Sequence, residues 1–181
     1  MKNFSNNFIS KTFFHKNKLK KLFFALVTCS FFLAGCPYNS KFSLTDSSAS
    51  EIDTNLTGLW EQIKDTEEKG ITTLDINNFN DREYLTETMN MEKGKMEFEK
   101  HRAFSSLING QRIINVEDLN SEKKFCFCKY SIKNDTLKVS WVSDEFVKEE
   151  FNNRAELFNF FAKHLNDAKF FEDEFFYKRR N

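Results

Sequence analysis

From about residue 55 to Ser143 the chain reads as strand after strand, short runs with apolar positions separated by turn residues at roughly 8–12-residue spacing. A period of two belongs to the half-buried strand, because successive side chains leave opposite faces of a pleated chain. The alternation is clearest where Leu137, Val139 and Trp141 share one face and Lys138 and Ser140 take the other. The pattern predicts strands near Gly58–Lys64, Ile71–Asn77, Glu83–Thr88, Met96–Leu107, Gln111–Val116, Lys124–Ile132 and Thr136–Val142. Asn109-Gly110 is a strong two-residue hairpin signal, and Glu92-Lys93-Gly94 and Lys133-Asn134-Asp135 also offer residues that tolerate positive φ.

In the sixth run Cys126, Cys128, Tyr130 and Ile132 share a face, but Phe125 and Phe127 make the opposite face partly apolar too. That second face should lie under a helix or lid. Beyond Ser143 the period lengthens. Asp144 can cap a short helix that buries Val147, and Asn153 can cap a longer one from Arg154 to about Asn166. In the longer helix Phe158, Phe161, Ala162 and Leu165 fall at i, i+3, i+4 and i+7, with Leu157 and Phe160 widening the stripe. Glu156, Asp167 and the local acidity suit packing against the strands better than lying on a bilayer. A closing strand is expected over Lys169–Lys178. Together these elements predict a mainly β fold: a small up-and-down antiparallel barrel of about eight strands, with a helix packed outside it before the last strand.

The N-terminus follows a different pattern. Lys16, Lys18, Lys20 and Lys21 form a basic stretch, and Leu22 to Leu33 form an apolar run too short to span a bilayer. Leu33-Ala34-Gly35-Cys36 closes it and resembles the lipobox of bacterial lipoproteins. That resemblance implies a signal peptide over 1–35 that is cleaved, acylation of Cys36, and a protein held in the cell envelope of a bacterium by its N-terminal lipid. An ordinary secretory signal and an uncleaved anchor are the other readings. Residues 36–54, rich in Ser, Thr, Asn and Asp, read as a flexible tether, and 55–181 as the barrel domain.

Charge narrows the partners. Residues 1–35 hold six of the 27 basic residues and no acid, which leaves 21 basic against 27 acidic and a net charge of −6 after cleavage. A chain with that balance lacks the clustered positive surface that nucleic acid requires. It also has no general attraction to anionic headgroups, so lipid chains must do the holding.

Candidate chemistry is sparse. Cys126 and Cys128 stand two apart in a strand, where their Cα atoms lie at or beyond the limit of disulfide geometry. Two small buried residues, or a redox or metal pair, are both open readings. His101 and His164 would have to converge across the fold to share a metal. No phosphate loop or dinucleotide fingerprint occurs among the five glycines. The residues therefore point to no catalytic set, no metal and no cofactor.

Gly58-Leu59-Trp60, following Asn55-Leu56-Thr57, resembles the G-x-W motif that begins the first strand of the lipocalin and wider calycin superfamily. There a glycine lets the chain turn in closely and a tryptophan plugs the closed end of a barrel. The chain departs from lipocalins in lacking a Thr-Asp-Tyr turn between strands six and seven, and no arginine of the expected last strand is obviously placed to stack on Trp60. The run Phe104 with Ile108-Asn109-Gly110-Gln111-Arg112 and Ile114-Asn115-Val116 also resembles a family of uncharacterised bacterial lipoproteins with small barrel domains.

An eight-stranded barrel either fills with side chains or holds one small ligand. The 15 phenylalanines beyond residue 35 fit both a packed core and an aromatic-lined cavity. In the second case Trp60, Phe98, Phe104, Tyr130 and Trp141 are the expected lining, binding a small apolar ligand or lipid. In the first, the protein is a structural or interaction lipoprotein that acts through its surface on another envelope protein.

Overall fold

The computed structural model describes residues 37–64, 70–119 and 124–180; the expected leader and Cys36 lie outside them. The described chain forms β1 (Asn39–Ser40), β2 (Gly58–Gln62), β3 (Ile71–Asn78), β4 (Tyr84–Glu92), β5 (Lys95–Ile108), β6 (Gln111–Asp118), β7 (Lys124–Lys133), β8 (Thr136–Val142), helix α1 (Arg154–His164) and β9 (Phe171–Arg179). Strands β2 to β9 make a closed antiparallel barrel: β2 pairs with β9, β9 with β8, and β8 with β7. The short β1 lies outside the closed set, on the start of β7, with Asn39 opposite Cys126.

The turns explain why neighbouring strands meet in register. Lys93-Gly94, Asn109-Gly110 and Asn134-Asp135 each place two consecutive residues at positive φ, the backbone of a two-residue turn whose twist matches its flanking strands. A fourth positive φ, at Asp173, accompanies the register shift between Ser140 and Trp141. An extra residue there reverses the facing of β9. Phe171 packs outside with Val142, whereas Phe175 and Tyr177 point into the barrel.

Two apolar clusters result. The first lies inside the barrel, around Trp60, Ile76, Tyr84, Ile114 and Leu137. The second lies outside, between the barrel wall and α1. Asn153 caps the helix by accepting a hydrogen bond from the Glu156 N–H, and Glu156 returns one by accepting from Asn152. Leu157, Phe161 and Leu165 are buried. The Phe161 ring meets both Phe127 and Phe170 edge to face at 5.0 Å. The apolar second face of β7 is thus covered by the helix, as its sequence predicts.

Residues 37–54, expected as a tether, are packed along the barrel. The Tyr38 N–H donates to the Val142 carbonyl, and Leu44 is 1% exposed with its N–H donating to Asn115 Oδ1 at 2.8 Å. The hydroxyls that made this segment read as solvated bond internally instead. Thr45 Oγ1 lies 2.6 Å from Ser106 Oγ, and Ser50 Oγ accepts from the Ser105 N–H. The short helix expected after Asp144 is a single turn, closed by the Val147 N–H on the Ser143 carbonyl.

Candidate functional site: a cavity inside the barrel

The barrel is sealed at the end where β2 begins. Gly58 has φ of +123°, a conformation that demands glycine, and a Cβ there would come within 2.8 Å of Arg179 Nη1 and displace the end of that side chain. The guanidinium of Arg179 lies 4.1 Å from the centre of the Trp60 ring and donates to the Thr57 carbonyl. Trp60 is fully buried, and its Nε1–H donates to the Leu56 carbonyl at 2.9 Å. Strand β9 runs one residue further than its expected end at Lys178, and that step puts an arginine of the last strand onto the tryptophan.

Asp53 ties this plug to the walls. Its N–H donates to Tyr84 Oη at 2.6 Å, and its carboxylate accepts from Tyr130 Oη at 2.7 Å. Burial alone would raise the Asp53 carboxyl, but the hydrogen bonds from Tyr130 and Asn55 outweigh it and hold the group below its ordinary range. Tyr130 is pushed well up, first by burial and then by the same bond.

Above the plug the interior is not filled. A cavity of about 470 Å3 extends between the walls, within the size range of pockets that take a small ligand. Its deep part is apolar, formed by Leu56, Ile76, Ala103, Ile114, Leu137 and Val139. Trp141, Phe175 and Tyr177 line its β8–β9 side. Toward the open end the wall turns polar, with Thr86, Thr88 and Asn90 on β4, Glu99 and His101 on β5, and Asp118 on β6. Pro37 and Asn39 stand at the same opening. The shape suits a molecule with an apolar body and a polar head.

Of the five expected lining residues, Tyr130 and Trp141 face the cavity. Trp60 lies beneath it as the plug. Phe98 points outward and is 55% exposed. Phe104 also faces outward, buried against Phe125 with ring centres 6.2 Å apart. The inward residues of β5 are Glu99, His101 and Ala103, the opposite phase. Placing Phe98 and Phe104 inside would also have turned Lys100 and Arg102 inward, a signal against that phase; instead these two pair outside with Glu87 and Glu117. His164 sits far from His101 in function: it contacts Asp167 at 2.6 Å and packs on Phe160 outside the barrel. Ser105, near His101 in sequence, is engaged by Ser50 and the Glu51 carbonyl. Among the described residues no group of three or more His, Cys, Asp or Glu is arranged to hold a metal ion.

Cys126 and Cys128 both face the cavity as free thiols. Burial pushes Cys128 up to about 12 and Cys126 up to about 11. An unfolded thiol ionises near pH ~8.5, so the folded state holds these protons more tightly. The associated stability is complete below that pH and is lost as pH rises toward the folded values. Urea unfolding should therefore show a loss of stability between about pH 8 and pH 10.5 that shrinks in Cys128→Ala. An undiminished loss in the variant would remove Cys128 from the cause.

Comparison with known proteins gave no match: no family model, no curated protein and no solved structure matches this chain.

Proposed function

We propose that this protein is a lipid-anchored protein of a bacterial cell envelope that holds one small apolar ligand or lipid chain inside its barrel, by binding and without catalysis. The observation that carries the proposal is the cavity of about 470 Å3, apolar at depth and polar at its opening, in a barrel with enough phenylalanine to have filled it. Most of those rings pack elsewhere, in the cluster between the wall and α1. The unfilled interior favours a ligand over the rival reading, a filled barrel that works through its surface.

Attachment through Cys36 is supported by the order of basic stretch, apolar run and Leu33-Ala34-Gly35-Cys36. Among the described residues no helix is long and apolar enough to cross a membrane; the acyl chains are the proposed means of holding. Kinship with calycin barrels is supported by the physical parts of the plug: a glycine at positive φ, a buried tryptophan and an arginine stacked on it.

The test is occupancy of the cavity. Thr86 faces the cavity in the first half of β4, opposite His101. Thr86→Trp should fill the space and weaken binding of an environment-sensitive apolar fluorophore more than about tenfold, a change of about 1.4 kcal/mol. The variant must unfold cooperatively for the comparison to stand. Equal binding by a cooperatively folded variant would place the fluorophore elsewhere and sink the proposal.

A further inference from the structure

We propose that the open end of the barrel rests on the bilayer that holds the N-terminal lipid, with the β4–β5 hairpin as its membrane-contacting edge. This rests on the proposed acylation of Cys36. Its consequence is that the cavity opens toward the membrane and takes its occupant directly from it.

The first observation concerns reach. An extended tether of 18 or so residues would let the barrel stand about 60 Å from its anchor, in any orientation. The described chain removes that freedom. Pro37, one peptide step from Cys36, is bridged to Ser143 at the end of β8, and the Tyr38 N–H is bonded to Val142. A Cα step is 3.8 Å, so a lipid carried on Cys36 would be attached one such step from a residue of the rim. Pro37 lines the same opening as Asn90 and Glu99. Strands β3, β5 and β7 begin at this end, and β4, β6 and β8 finish there.

The second observation is what the rim presents. Strand β5 pairs with β6 only from His101 onward, so Lys95–Lys100 runs past β6 for about 20 Å as an arm with β4. On its outer face Met91 opposes Met96 and Met89 opposes Phe98, with Ile71 beside Met91. Met96 is 54% and Phe98 55% exposed. Ile63 and Leu119, at the ends of β2 and β6, are exposed at the same end. Of the arm's charges, Lys93 pairs with Glu92 at 2.9 Å and Lys100 with Glu87 at 2.7 Å, and Lys95, Glu97 and Glu99 complete a mixed set. An apolar outer edge of mixed charge, beside the rim from which the proposed lipid-bearing residue is one step away, fits a bilayer surface.

The purified, acylated full-length protein in phosphatidylcholine vesicles tests this, with the photoreactive analogue p-benzoylphenylalanine in place of Phe98 or, separately, of Phe79. Phe79 is equally exposed, at 58%, and follows β3 at the sealed end. Lipid adducts at position 98 should exceed those at 79 by roughly tenfold, the preference expected from burying one aromatic side chain. Salt at about 1 M, where charges are screened within about 3 Å, should leave the yield unchanged. Equal yields at the two positions, or adducts at 98 to protein rather than lipid, would overturn the orientation while leaving the anchor and the cavity standing. Protein that does not float with the vesicles would overturn both anchor and orientation and leave the cavity untouched.

Discussion

Trp60→Ala is expected to cost about 3–5 kcal/mol of folding stability, the range for truncating a buried aromatic side chain. Trp60 has no exposed surface, and its ring is the floor of the barrel interior. The substitution removes three things together: the packing against Ile76 and Leu137, the Nε1–H bond to Leu56, and the face on which Arg179 rests. Arg179 would keep its bonds to the Thr57 and Asn55 carbonyls, so the seal should loosen rather than come apart. Urea unfolding beside a control at exposed Lys133 measures the difference. A loss under about 1 kcal/mol, ordinary for surface positions, would mean that the tryptophan is not a structural plug.

Leu44→Ala should cost about 2–5 kcal/mol, although the sequence around it has the composition of a linker. Leu44 is buried in the outer cluster beside Phe127 and Phe161. Its backbone N–H is held by Asn115, itself fully buried and donating to the Phe104 carbonyl and Ser106 Oγ. The strap over 37–54 is therefore part of the folded unit. The same unfolding experiment applies, and Leu44→Ala within about 0.5 kcal/mol of wild type would restore the tether reading. A practical consequence follows for binding work: a fragment starting at residue 51 would lack β1, Tyr38 and Leu44.

The barrel was legible in the sequence because its turns and strands obey local rules. Asn109-Gly110 and Lys93-Gly94 announce themselves by the need for positive φ, and Leu137, Val139 and Trp141 by strict alternation. Phe125 and Phe127 announced a covered outer face, and α1 covers it. Three features were hidden for physical reasons. The facing of β5 was ambiguous because polar residues occupy both its faces where it leaves the barrel, Glu99 and His101 inside and Lys100 and Arg102 outside. The strap was hidden because its serines and threonines look like solvated chain until their partners in β5 are known. The bulge at Asp173 lies in a run of three acids that reads as plain surface, yet it decides that Phe175 and Tyr177 enter the cavity. Tyr130 and Trp141 take the facing that the alternation of β7 and β8 predicts, since both strands stay paired to each other in register from Cys128 to Lys133.

The most direct test of the central claim is a titration of the full mature chain with an environment-sensitive apolar fluorophore, read by energy transfer from tryptophan. Trp141 lines the cavity and Trp60 lies beneath it, so a fluorophore bound inside should quench both. Saturation at one fluorophore per barrel, with displacement by an uncharged long-chain alcohol, is the predicted result. No binding by a cooperatively folded sample, or weak binding of several fluorophores without displacement, would contradict a ligand-holding barrel.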